Sequence, residues 1–206
     1  MTGHSGIGAA RIPHGEADGL ATPVPRLHGH VSTRWQGAIM QVYLVRHAIA
    51  APREAGFVDD AARELTPIGM KKMRRNAEAL RRLGVALDEV WTSPLVRARQ
   101  TAEILAQGLG GKSPVKVVAA LEPGGTFEDL RARLAGHARL SAVALVGHEP
   151  GMSELAGFLT GAGRSLMFRF KKGAVALMEI DDFSSPVRGE LCWFLTPKMM
   201  GLMAGR

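Results

Sequence analysis

The stretch MQVYLVRHAIA, residues 40–50, decides how the chain is read. Val42, Leu44 and Val45 give the apolar run of a short buried strand, which ends on Arg46 and His47 with small residues behind them. A strand needs neither a guanidinium nor an imidazole to fold. For the dipeptide alone the structural explanations are favoured: Arg46 can lay its stem along apolar surface with its head in water, and His47 can be a hydrogen-bonded turn residue. The rest of the chain has to supply a chemical use for the pair.

From Met40 onward the patterns of strand and helix alternate. LTPIGMKKMRRNAEALRRLG (residues 65–84) predicts a helix with Thr66 as cap, Pro67 in its first turn, Arg81 and Arg82 complementing its dipole, and Gly84 as its stop. LDEVWTS (87–93) predicts a second strand. SPLVRARQTAEILAQGLG (93–110) predicts a helix capped by Ser93, with Pro94 at its first position and a buried stripe of Leu95, Ala98, Ala102 and Leu105. VKVVAAL (115–121) reads as a third strand, TFEDLRARLAG (126–136) as a third helix, SAVALVG (141–147) as a fourth strand and GMSELAGFLTG (151–161) as a fourth helix. GAVALMEI (173–180) and ELCWFLT (190–196) close the chain as two strands of a hairpin with an irregular loop around Ser184–Gly189. This order predicts an α/β fold, a mostly parallel sheet covered by helices on both faces with an antiparallel edge, and no internal repeat.

Residues 1–39 differ. They are rich in Gly, Pro and Ala, lack sustained periodicity, and hold four of the seven histidines: His4, His14, His28 and His30. Their irregular spacing, with no cysteine among them, does not describe a metal tract. The reading is a disordered leader over 1–39 and one domain over 40–206, with Met40 as a candidate start of translation.

With 206 residues, 46% hydrophobic and 22% charged, the chain has the composition of a soluble globular domain. It carries no apolar run of membrane-spanning length and no signal-peptide order, so neither a membrane partner nor export is expected. A single cysteine, Cys192, excludes an internal disulfide and fits a reducing cytoplasm, the expected location. Lying in LCWFLT, Cys192 reads as a small buried residue rather than a nucleophile. The net charge of +7 attracts anions without choosing among them. Its densest run, KKMRRNAEALRR, carries helical apolar spacing at Met73, Ala77 and Leu80, so it reads as a solvated helix face. With one tyrosine and no zinc-finger or RNA-binding signature, nucleic acid is not an expected partner.

In open α/β sheets, sites form beyond the carboxyl ends of the strands. Three of those ends are unusual here. The first delivers Arg46 and His47. The second delivers SPLVRARQT, with Arg97 in the first turn of a helix and leaning back toward the rim. The fourth delivers LVGHEPG, with His148 at the turn. Two guanidiniums and two imidazoles on one rim repel each other unless an anion joins them, and the helix N-terminus after Ser93 favours the same anion. A phosphoryl group accounts for the set: arginines grip its oxygens, one imidazole attacks phosphorus, and the other, protonated, stabilises charge on the equatorial oxygens.

The motifs LVRHA, LTPIG, SPLVRARQTAEIL and LVGHEPGMSEL, in this order, resemble those of the histidine phosphatase superfamily, and within it the SixA-like phosphohistidine phosphatases. The likeness runs from Met40 to the C-terminus, including FKKGAVALMEID and WFLTP. The resemblance implies a three-layer αβα sandwich like phosphoglycerate mutase, no metal and no cofactor. It implies His47 as the nucleophile that is transiently phosphorylated, Arg46 and Arg97 as phosphate ligands, His148 as the second catalytic histidine, and Arg63 of RELTPIG as a basic residue bordering the pocket. Two departures stand out. Glu149 takes the place where relatives often carry Asn. Glu122, in LEPGG, falls near where phosphoester-cleaving relatives keep a carboxylic acid. It reads as a donor or as a turn residue before Pro123, and the turn is favoured.

The function that follows is a metal-independent phosphatase working through a phosphohistidine enzyme intermediate, a protein phosphohistidine phosphatase, whose expected partner is a phosphorylated protein, such as a phosphotransfer or phosphorelay protein, or a small phosphate compound. Two other readings stand beside it: a small-molecule phosphomonoesterase of the same fold, and a non-catalytic binder of phosphorylated or polyanionic partners.

Overall fold

The computed structural model describes Met1 and residues 39–53, 59–166 and 169–205. The expected leader, apart from Met1 and Ile39, lies outside the described residues, and its four histidines with it. Six strands form one sheet: β1 (Met40–Arg46), β2 (Glu89–Thr92), β3 (Val115–Val117), β4 (Ala142–Gly147), β5 (Val175–Ile180) and β6 (Glu190–Leu195). Their spatial order is β3-β2-β4-β1-β5-β6. The first four run parallel, β5 is antiparallel to β1, and β6 is antiparallel to β5.

The near-continuous apolar runs of β1 and β4 follow from burial on both faces. In β1, Met40, Val42 and Leu44 enter one core, and Tyr43 and Val45 enter the other. Helices α1 (Pro67–Arg82), α2 (Val96–Gly108) and α5 (Pro197–Met203) cover the face of Tyr43, through Met73, Ala77, Leu80, Ala98, Ala102, Leu105 and Met200. Helices α3 (Phe127–Ala135) and α4 (Gly151–Leu159) cover the other face, through Leu130, Leu134, Met152, Leu155 and Leu159. The result is the α/β sandwich that the alternation predicts. Among the described residues, no helix is long and apolar enough to cross a membrane.

Helix α1 forms as its signals say. Thr66 Oγ1 accepts from the Gly69 amide at 3.0 Å, Pro67 opens the helix, and Gly84 (φ +77°) follows its last turn. Gly69 also lets the helix start lie against the loop after His47, because a Cβ there would stand 2.1 Å from the Ile49 carbonyl oxygen. Lys71, Lys72, Arg74 and Arg75 face solvent, while Arg81 and Arg82 pair with Glu78.

Four local readings are corrected. Helix α2 begins at Val96 behind an extended Leu95, so Ser93 does not cap it; the Leu95 amide donates to Ser93 Oγ at 3.3 Å in a turn before the helix. Strand β3 stops at Val117, because an edge strand has one neighbour, and residues 119–121 turn as a 3-10 helix. The chain does not close on the hairpin. Thr196 caps α5 by accepting from the Met199 amide at 3.4 Å, with Pro197 next to it. Cys192 is exposed, not buried. Trp193 pairs with Leu177 and Leu191 with Met178, which leaves Cys192 as the extra residue of a bulge in the edge strand β6.

Candidate active site

The parallel strands β1, β4 and β2 end side by side. Arg46 registers with Gly147, the His47 amide donates to the Gly147 carbonyl at 3.0 Å, and the Ser93 amide donates to the Val146 carbonyl at 3.0 Å. Their carboxyl ends thus form one rim, and the residues that follow them meet there. The rings of His47 and His148 lie 5.1 Å apart between centroids. Arg97, in the first turn of α2, and Arg46 both act electrostatically on both imidazoles.

His47 is 6% exposed. Its Nδ1 lies 2.7 Å from the Ala48 carbonyl, a group that only accepts, so Nδ1 carries the proton and Nε2 of the neutral ring carries the lone pair. Burial lowers its pKa to about 3; the hydrogen bond to Ala48 opposes that shift, and His148, Arg97 and Arg46 reinforce it. The Ala48 amide donates to Thr101 Oγ1, and that hydroxyl donates to the Arg97 carbonyl, which ties the loop after His47 to α2.

His148 Nε2 is hydrogen-bonded to Ser93 Oγ at 2.9 Å. Burial and then Arg97 lower its pKa to about 4, and Asp60 works the other way. Burial also draws the arginines down from their usual value, against Glu149 beside Arg46 and Asp60 beside Arg97. Arg46 donates from Nη1 to the Phe170 carbonyl at 2.6 Å. Among the described residues, the buried side-chain nitrogens and oxygens without a partner are Arg46 Nε, Arg97 Nε and His148 Nδ1.

Arg63 reaches the same site through a carboxylate. Its Nε donates to Asp60 Oδ1 at 2.8 Å, while Arg97 donates to Asp60 through both terminal nitrogens. Glu122 does not touch the quartet. It is exposed and opens a turn in which the Gly125 amide donates to the Glu122 carbonyl, with Pro123 and then Gly124 (φ +88°) at the corner. It does line, with Leu121, His148, Glu149 and Met152, a cleft that reaches the site through His148; Arg46, His47 and Arg97 do not line this cleft. Glu149 is half-buried. Burial raises its pKa, and its carboxylate accepts from the amide and hydroxyl of Ser153 at the start of α4.

Two residues at the site escaped the sequence reading. Asp60 had no motif to mark it beyond its place three residues before Arg63. Lys172 sits at the corner of a turn closed by the Ala174 amide on the Lys171 carbonyl, with Gly173 at φ +80°. The Gly173 amide donates to the carbonyls of Arg46 and His47, so this turn is stitched to the backbone of both residues. Burial, then Arg46, Arg63 and Arg97, lower the pKa of Lys172, which places a further cation within reach of the arginines. The signal was the Lys-Gly pair just before β5. Among the described residues, no group of three or more His, Cys, Asp or Glu is disposed to hold a metal ion.

Comparison with known proteins places the chain beside one superfamily. Residues 42–133 match the model of the histidine phosphatase superfamily (branch 1). An uncharacterized protein of Picosynechococcus sp. is 42% identical over 122 residues, which cover 57% of this chain and 71% of that protein. The phosphohistidine phosphatase SixA of Escherichia coli is 29% identical over 160 residues, or 77% of this chain and 94% of that protein. Among solved structures, the protein histidine phosphatase SixA complexed with tungstate superposes with a TM-score of 0.69 at 28% identity, covering 77% of this chain and 98% of its own.

Proposed function

This chain belongs to the histidine phosphatase superfamily, in its SixA-like branch, and from that membership we propose that it is a metal-independent phosphatase working through a phosphoryl group on His47, with phosphohistidine on a protein as its substrate. One observation carries the reading. Arg46 Nε, Arg97 Nε and His148 Nδ1 are buried without partners, on residues gathered around a histidine whose Nε2 bears a lone pair. A buried donor left unpaired costs about 1–3 kcal/mol, and more when charged. A phosphoryl group brings three peripheral oxygens to such donors. The relative solved with tungstate holds an oxyanion, which is in keeping with this assignment.

The chemistry follows from the protonation states. With its pKa near 3, the His47 ring is neutral at neutral pH, and Nε2 attacks phosphorus as the leaving group departs on the far side. Arg46 and Arg97 hold the peripheral oxygens with fixed positive charge. His148 is kept neutral by burial and its cationic neighbours, but a phosphoryl dianion among those cations works in the opposite sense and favours the imidazolium, which then stabilises the equatorial oxygens. Water next attacks phosphorus and releases His47.

What leaves sets the substrate. An alkoxide is a poor leaving group and calls for a positioned acid, worth about 10²–10⁴-fold in rate. Imidazole leaves a phosphoramidate readily and can carry its own proton. Glu122 belongs to a turn at the solvent edge, so a dedicated acid is not evident, and phosphohistidine is favoured. The small-molecule phosphomonoesterase is the second reading, and its support is that Glu122 and His148 line one cleft. The test compares kcat/KM for a phosphohistidine protein with that for simple alkyl phosphates, in EDTA-treated wild type and Glu122→Gln. The proposal expects the phosphohistidine protein to win, EDTA to have no effect, and Glu122→Gln to be near wild type. Preference for alkyl esters that Glu122→Gln abolishes would install the esterase reading instead.

A further inference from the structure

We propose that Asp60 is the positioning residue of this site, fixing the Arg97 guanidinium in the orientation that receives the phosphoryl oxygens; the inference rests on the phosphatase reading above. Asp60 opens a 3-10 turn, Asp60–Ala62, which is fastened by Asp59 accepting from the Ala61 amide at 2.9 Å. From that fixed point it meets Arg97 twice. Its main-chain carbonyl accepts from Arg97 Nη1 at 2.7 Å, and its Oδ2 accepts from Nη2 at 3.0 Å. Its other carboxylate oxygen, Oδ1, accepts from Arg63 Nε at 2.8 Å and lies 3.4 Å from Arg53 Nε.

An arginine in a first helical turn has its Cα fixed by the helix, but its long side chain is not fixed with it. Burial and the repulsion of neighbouring cations both favour swinging the Arg97 head toward water. A residue that grips both terminal nitrogens, Nη1 through its main-chain carbonyl and Nη2 through its carboxylate, opposes that motion and leaves Nε as the one nitrogen of the guanidinium without a protein partner. Asp60 thus does for Arg97 what Phe170 does for Arg46, whose Nη1 is also tied to a carbonyl while its Nε stays free.

A carboxylate on these arginines could instead be a resident anion that occupies the phosphoryl position. Two features decide against that. The Asp60 side chain is 45% exposed while that of Arg97 is 4% exposed, so the carboxylate holds the guanidinium from its solvent side. Its side-chain partners among the described residues are Arg53, Arg63 and Arg97, together with neither Arg46 nor His47, which an anion seated in front of the nucleophile would meet. In addition, one of the two links to Arg97 uses the main chain, which does not leave with a side-chain rotation.

The test measures orthophosphate binding by calorimetry and steady-state kinetics with acetyl phosphate, on the full chain as wild type, Asp60→Ala, Asp60→Asn and Asp60→Glu. Removing Asp60 takes a negative charge from a cationic site, so simple electrostatics predicts tighter orthophosphate binding. Positioning predicts the reverse: in Asp60→Ala, binding weakens and kcat falls, each by about tenfold or more, with Asp60→Asn between and Asp60→Glu regaining part of kcat. Unchanged thermal unfolding across the series separates this from a loss of fold, and the isosteric Asp60→Asn carries the comparison should the alanine variant not fold. Tighter orthophosphate binding with equal or higher kcat would overturn the proposal and make Asp60 a competitor of substrate. Wild type that binds no orthophosphate would instead remove the phosphoryl-site reading on which it rests.

Discussion

His148 Nε2 stands 2.9 Å from Ser93 Oγ, so the hydroxyl that follows β2 holds the imidazole that follows β4. Ser93 is fully buried and His148 is 5% exposed, and the same Oγ accepts from the Leu95 amide. The hydroxyl therefore links the entry to α2, and with it Arg97, to the second histidine of the site.

Ser93→Ala removes that link without adding volume. It leaves His148 Nε2 buried and unpaired, a penalty of about 1–3 kcal/mol that the ring can relieve only by turning. The expected outcome is a kcat lower by about 10- to 100-fold with unfolding close to wild type, measured by steady-state kinetics and thermal melts. Wild-type kcat would show that His148 keeps its orientation by packing alone.

The two imidazoles also set a pH dependence of stability. Both have folded-state values below the ordinary 6.5 of histidine, at about 3 for His47 and about 4 for His148, each chiefly from burial. The unfolded chain therefore binds protons that the folded chain refuses as pH falls below 6.5. Stability is fully present above that value and is lost on the way down toward the folded pKa values, by up to about 1.4 kcal/mol per pH unit for each ring. Urea midpoints taken at about pH 7 and about pH 5 should fall for wild type, and fall less for the double variant His47→Gln, His148→Gln. An equal fall in both proteins would mean that other groups carry the acid sensitivity.

The parallel core was legible because its strands are apolar on both faces, and the helices because their apolar stripes recur at helical spacing, with a cap signal besides at α1. The signals that misled were local ones with two uses. Ser93 before Pro94 reads as a helix cap, yet its hydroxyl is engaged by His148, a partner 55 residues away that no local pattern reveals. Thr196-Pro197 repeats the Thr66-Pro67 signal, and it opens α5 in the same way, so the start of that helix is legible in the sequence. Cys192 sits in an apolar run, but a bulge turns one residue of that run outward, and a bulge depends on the partner strand. At the site, the strand ends brought His47, Arg46, Arg97 and His148 to one rim. Asp60 was beyond reach of sequence reasoning, because what singles it out is the set of arginines it meets in space, Arg53, Arg63 and Arg97.

The central claim is that His47 carries the phosphoryl group during turnover, and one measurement addresses it directly. Wild type mixed with isotopically labelled acetyl phosphate is quenched within a turnover, digested in alkali-stable conditions, and the labelled peptide is sequenced by mass spectrometry. The account predicts one acid-labile phosphoryl group, on His47, absent from His47→Ala, which folds but does not turn over. Label on His148 or on any other residue, or full turnover by His47→Ala, would contradict it.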